Sequence, residues 1–137
     1  MKKDTFKSPD YFNIDSLLTE EQILVRESVR EWVKDNVSPI IEDAALESKF
    51  PKNLVKDLGE IGGFGGFLPS KYGGSEIDFT SYGLMMQELE RGDSSLRVLS
   101  SVQTLVMNTI YKFGSEEQKL KYLKKLASGE MVGSFGM

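Results

Sequence analysis

Apolar residues recur at helical spacing in six blocks along the chain. Val25, Val29, Trp32 and Val33 fall at i, i+4, i+7 and i+8, one face of a helix. Ahead of them, Thr19-Glu20-Glu21-Gln22 forms a capping box. Thr19 is placed to accept from the backbone N–H three residues on, and Gln22 to reach back. Pro39 ends this helix and, with Ser38 as cap, opens a second whose apolar face is Ile40, Ile41, Ala44 and Ala45. Pro51 opens a third, with Leu54, Leu58 and Ile61 inward, and Gly62-Gly63 stop it. Residues 62–74 form a loop holding six glycines and Pro69. The pattern predicts a fourth helix from Asp78 or Thr80, lined by Phe79, Tyr82, Met86 and Leu89. Asp93 caps a fifth, which buries Leu96, Leu99, Val102, Val106 and Ile110. Ser115-Glu116-Glu117-Gln118 is a second capping box, and it opens a sixth helix with Leu120, Leu123 and Ala127 inward.

The expected fold is therefore all-α, a six-helix domain of the up-and-down bundle type. Residues 1–14 read as an irregular arm, with Phe6, Tyr11 and Phe12 placed to pin it, and residues 15–130 as the helical domain. Residues 131–137 break the helical period and read as the opening strand of a further β-domain that this chain does not contain.

Composition narrows the chemistry. A chain of 137 residues suits one domain, and a net charge of −4 gives no bulk attraction for nucleic acid or for an anionic membrane. Lys and Arg are scattered apart from Lys124-Lys125. There is no Cys and no His, which excludes disulfide scaffolds, thiolate nucleophiles, Ser-His-Asp chemistry and most transition-metal sites. No metal site is expected. Any chemistry must rest on carboxylates, a bound cofactor or groups outside the chain. Met1 to Ser8 is polar, without a secretory signal, and no stretch reads as a membrane span, so the cytoplasm is the expected compartment.

Few residues stand out as sites. The run Gly62-Gly63-Phe64-Gly65-Gly66-Phe67-Leu68-Pro69 invites a phosphate-binding reading. However, Leu68 stands where a dinucleotide motif needs glycine, and the run follows a helix rather than a strand. A tight turn between packed helices is the better reading. Met85, Met86 and Met107 read as core filling. Glu88 and Glu90 are two apart on a helix and point to different sides. Arg97, flanked by Leu96, Val98 and Leu99, calls for an anionic partner: Glu90 or Asp93 within the chain, or a carboxylate-bearing ligand. These two readings stand level.

Several segments, in this order, resemble the acyl-CoA dehydrogenase family. They are Pro69-Ser70-Lys71-Tyr72-Gly73-Gly74, Tyr82-Gly83-Leu84, Glu88-Leu89-Glu90-Arg91-Gly92-Asp93-Ser94, Ser101-Val102-Gln103, Tyr111 to Lys119 with Lys121-Tyr122-Leu123, and Gly129-Glu130. The glutaryl-CoA dehydrogenase branch is the most similar. The resemblance implies an N-terminal six-helix domain in an enzyme that oxidises the Cα–Cβ bond of an acyl-CoA thioester with FAD. Its glutamate base and most flavin contacts lie outside this sequence, so no catalytic residue is expected here and the chain alone should be inactive. Ser134-Phe135-Gly136-Met137 matches the opening of the family's flavin-contacting strand, which makes Phe135, Gly136 and Met137 the cofactor-side candidates. On the substrate side the resemblance implies Arg97, Val98 and Glu90. In the glutaryl branch an Arg-Ser pair in the fifth helix, with a preceding Glu, lies near the substrate's distal carboxylate, and Arg97 and Glu90 match it. Val98 stands where that branch has Ser, and the chain is one residue short between Gln103 and Leu105. Acyl-CoA, an electron-transfer partner and a homo-oligomeric full-length enzyme are the implied partners. The alternatives are a general short-chain acyl-CoA dehydrogenase, a non-catalytic helical interaction domain and a helical acyl-chain carrier.

Overall fold

Local capping signals set most of the helix starts. In the computed structural model, which describes residues 10–136, α1 runs Glu20–Trp32, α2 Ile41–Leu46, α3 Asn53–Glu60, α4 Phe79–Gly92, α5 Ser94–Phe113 and α6 Glu116–Ala127. Thr19 and Ser115 each accept from the backbone N–H three residues on, and the partner Gln22 and Gln118 side chains accept in return, completing both capping boxes. Asp78 caps α4 and Asp93 caps α5. The Gln22 side chain also donates to the Asp78 carboxylate at 3.3 Å, which ties the start of α1 to the start of α4. Helix α4 packs between α1 and α5, and α6 packs on the other flank of α5. Their shared core holds Val29, Val33, Leu54, Leu58, Phe64, Leu68, Met85, Leu89, Leu96, Met107, Leu123 and Leu126.

The second helix starts differently from the sequence expectation. Ser38 is not an N-cap. Its N–H donates to the Val33 carbonyl at 2.9 Å, five residues back, and Val33–Val37 is a π turn that prolongs α1. Pro39 has no N–H to continue this ladder. Helix α2 then begins at Ile41 without a side-chain cap, and none of its residues is buried. The amino-terminal arm also differs. Tyr11 and Phe12 are exposed rather than pinned, and Phe6 lies outside the described residues. The attachment is electrostatic instead: Arg26 donates to both carboxylate oxygens of Asp15, at 2.5 and 2.9 Å.

The glycine-rich loop is part of the core. Phe64 and Leu68 point inward, the Ser100 hydroxyl donates to the Gly63 carbonyl, and the Gly65 N–H donates to the Thr104 hydroxyl at 2.9 Å. Gly65 has φ +61°, and a Cβ there would strike the Met107 methyl. A Cβ on Gly74 would run into the Leu68 carbonyl. These contacts support a tight turn between helices, not a phosphate cradle.

That loop explains a rotated face on α5. The buried positions are Leu96, Ser100, Gln103, Thr104 and Met107, while Leu99, Val102, Val106 and Ile110 are only partly buried. Loop backbone crosses α5 on this side and is partnered by the Ser100 and Thr104 hydroxyls, while Gln103 serves backbone at the end of α6 and beyond it, so polar side chains occupy core positions. Other positions differ from the apolar pattern as well. Met85 rather than Met86 is buried in α4, and Leu120 of α6 is exposed. Phe79 is exposed and lies against the rim of Phe67, with ring centroids 5.1 Å apart. No strand forms among the described residues, and those beyond Met131 carry no regular structure.

Candidate functional site

The α4–α5 corner assembles the first candidate cluster. Asp93 has an extended backbone and breaks the two helices apart, and its carboxylate accepts from the Ser95 N–H at 2.8 Å. This brings Glu90, in the last turn of α4, against Arg97, near the start of α5. The Arg97 Nε donates to one Glu90 oxygen at 2.7 Å, and the Ser94 hydroxyl donates to the other at 2.6 Å. The Ser94 hydroxyl, and after it Arg97, hold the Glu90 carboxyl below its ordinary pKa. The Arg97 side chain is 40% exposed, and among the described residues its two terminal nitrogens carry no hydrogen bond. Val98 lies beside it, exposed. The corner therefore presents a guanidinium anchored through Nε with its planar fork still available, the geometry that accepts a carboxylate through two parallel bonds.

Glu88 and Glu90 do point to different sides, but Glu88 is not surface. It is 1% exposed, and Arg30 of α1 grips it with two bonds at 2.7 and 3.1 Å. Arg91 adds a third contact at 3.2 Å. This carboxylate ties α1 to α4 and stands apart from the corner.

The second candidate cluster follows α6. Gln103, buried at 1% exposure, donates to the Leu126 carbonyl at 2.8 Å and to the Met131 carbonyl at 2.7 Å, and accepts from the Gly133 N–H at 2.7 Å. Beyond this anchor the chain emerges. Phe135 is 48% exposed, and nothing stands within 4 Å of where a Cβ on Gly136 would be. Met137 lies outside the described residues. Both clusters hang on α5. Gln103 follows Arg97 by six positions, about 9 Å along the axis at 1.5 Å per residue. Gln103 shares the helical period of Leu96, Ser100 and Met107, but a polar residue on that period gives no functional signal in the sequence.

Among the described residues no three Asp or Glu side chains are grouped to hold a metal, and no helix is long and apolar enough to cross a membrane.

The fold is a helical domain whose described residues include an anchored, exposed guanidinium at one corner and a glutamine-held chain segment after α6. The chain belongs to the acyl-CoA dehydrogenase family: residues 19–130 match that family's N-terminal domain. It is 38% identical over 121 residues to an acyl-CoA dehydrogenase of Bacillus subtilis, an alignment covering 88% of this chain and 32% of that protein. It is 38% identical over 125 residues to a short-chain-specific acyl-CoA dehydrogenase of Clostridium acetobutylicum, covering 90% of this chain and 33% of the other. Among solved structures, a glutaryl-CoA dehydrogenase from Mycobacterium smegmatis in complex with FADH2 superposes with a TM-score of 0.85 at 37% identity, covering 88% of this chain and 31% of that one. The chain thus spans about a third of the length of the relatives it matches.

Proposed function

We propose that this chain is the N-terminal helical part of an FAD-dependent dehydrogenase that oxidises the Cα–Cβ bond of a dicarboxylyl-CoA thioester such as glutaryl-CoA. The observation that carries the substrate reading is the Arg97 guanidinium, fixed through Nε by Glu90 while Ser94 fixes Glu90. FAD, when bound, supplies the hydride acceptor. Phe135 and Gly136, with Met137, offer one wall for its ring, and Arg97 orients the far carboxylate of the substrate. In this reading residues 15–130 are one domain and residues 131–137 open the next. The general base lies elsewhere, so this chain alone has no dehydrogenase activity. The full-length enzyme is a homo-oligomer that passes electrons to a separate acceptor protein. A second reading, a short-chain acyl-CoA dehydrogenase, is favoured by Val98, which adds an apolar surface beside Arg97 where the glutaryl branch has a hydroxyl.

The two readings separate on one substitution in the full-length enzyme. A hydrogen bond to a charged group contributes about 1.5–3 kcal/mol, and about 1.4 kcal/mol is tenfold. Arg97→Ala should therefore lower kcat/KM for glutaryl-CoA by about ten- to a hundredfold, and that for a neutral acyl-CoA of similar length far less. An equal fall on both substrates would make Arg97 a structural partner of Glu90 and leave the short-chain reading standing.

A further inference from the structure

We infer that Gln103 is a positioning residue for the cofactor: its carboxamide fixes the backbone of residues 131–133 and so sets where Phe135 and Gly136 meet the flavin. This rests on the flavin reading above. A buried carboxamide is costly unless paired, and Gln103 spends both donors and its acceptor on main-chain atoms at the end of α6 and just beyond it. Its partners straddle the exit of the chain: Leu126 in the last turn of α6, then Met131 and Gly133. A second contact holds the same place. A Cβ built on Gly133 would lie 2.9 Å from the Val106 Cγ1 atom, so Gly133 sits directly on α5. Two residues past this clamp, Phe135 is half exposed. The bonds of Gln103 thus do more than close a helix end. Among the described residues they are the last hydrogen bonds before the candidate flavin wall, at Met131 and Gly133.

The neighbouring residue supplies the control. Thr104 is equally part of the buried α5 face, but it holds Gly65 in the glycine-rich loop. Gln103→Met removes all three bonds with little change of shape, and Thr104→Val removes the bond to Gly65. In the full-length protein, amide exchange at Gly133 should accelerate in Gln103→Met and not in Thr104→Val. The flavin absorbance band should shift, and the FAD dissociation constant should rise by about tenfold, as expected for a lost hydrogen bond, in Gln103→Met alone. Gly133→Ala, which pushes the segment off Val106 without touching Gln103, should reproduce the flavin changes and serves if Gln103→Met does not fold. A flavin spectrum and affinity unchanged in both variants, or changed equally in Thr104→Val, would overturn the inference. A wild-type protein that binds no FAD would instead overturn the reading beneath it, while Gly133 exchange would still report whether the clamp exists.

Discussion

Removing Arg30 should expose how much of the fold rests on one buried carboxylate. Glu88 is almost wholly buried, with two bonds to Arg30 and one to Arg91. Arg30→Met keeps most of the aliphatic bulk and leaves Glu88 with Arg91 as its cation. Breaking a buried pair by deleting one partner costs about 3–5 kcal/mol. Here the cost is smaller, because the Arg30 side chain is itself 32% exposed and Arg91 still compensates part of the charge. We expect a loss of about 2–3 kcal/mol. At about 3–4 °C per kcal/mol for a domain of this size, the melting temperature should fall by about 6–12 °C. The double variant Arg30→Met with Glu88→Leu should recover most of that loss, because no buried charge is then left unpaired. Thermal and urea unfolding of the four proteins of the cycle is the assay. A single variant within about 2 °C of the parent, or a double variant no better than the single, would refute the reasoning.

Glycine positions give a contrast of sign. Gly65→Ala meets both a positive φ and the Met107 methyl, and should destabilise by about 1–3 kcal/mol. Gly83→Ala, on the exposed face of α4 with nothing within 4 Å, should stabilise by about 0.5–1 kcal/mol. Both are read from denaturant midpoints, and equal signs would contradict the geometry. Acid should destabilise the domain in a definite window. The pKa is lowered on Asp15 by Arg26, on Asp78 by the Ser81 N–H, on Glu90 by Ser94 and on Glu116 by Lys71. Folded values below unfolded ones give stability that is present at neutral pH and lost as pH falls through the folded values. The melting temperature should therefore hold between about pH 7 and 5 and drop below about pH 4. A curve that stays flat to lower pH would count against those pairings.

The parts of the fold legible in sequence were those governed by short-range chemistry. Thr19 with Gln22, Ser115 with Gln118, Asp78 and Asp93 each act within three residues, so helix starts could be read where they fell. Pro39 misled because a proline ends a ladder as readily as it opens one, and the π turn that Ser38 closes depends on bonds reaching five residues back. The α5 face was misread for a different reason. Periodicity ranks apolar positions, whereas the positions actually buried carry Ser100, Gln103 and Thr104, which serve backbone from segments remote in sequence. The burial of Glu88 is not legible for the same reason: its partner Arg30 is 58 residues away. At the α4–α5 corner, Arg97 was singled out because a cation among apolar neighbours asks for a partner. Glu90 was within reach because only the Asp93 break separates them. The anchoring of residues 131–133 was not visible at all, since nothing local in Met131-Val132-Gly133 names a distant glutamine.

The buried glycine-rich loop reverses the usual expectation about where a helical protein can absorb change. Connections between elements normally accept inserted residues and sequence drift. Here the longest stretch between α-helices, residues 61–78, which includes a short 3-10 turn at Ser70–Tyr72, folds back on itself. Ser75 and Ile77 both donate to the Gly66 carbonyl, at 3.0 and 3.1 Å, and the Ser70 N–H donates to the Glu76 carboxylate at 2.8 Å. One added residue between Gly66 and Gly74 would put the bonds from Ser75 and Ile77 to the Gly66 carbonyl out of register together. The permissive place for an insertion, an epitope or a label is instead the exposed turn at Glu47–Lys49 after α2, where Ser48 already takes a positive φ and no side chain is buried.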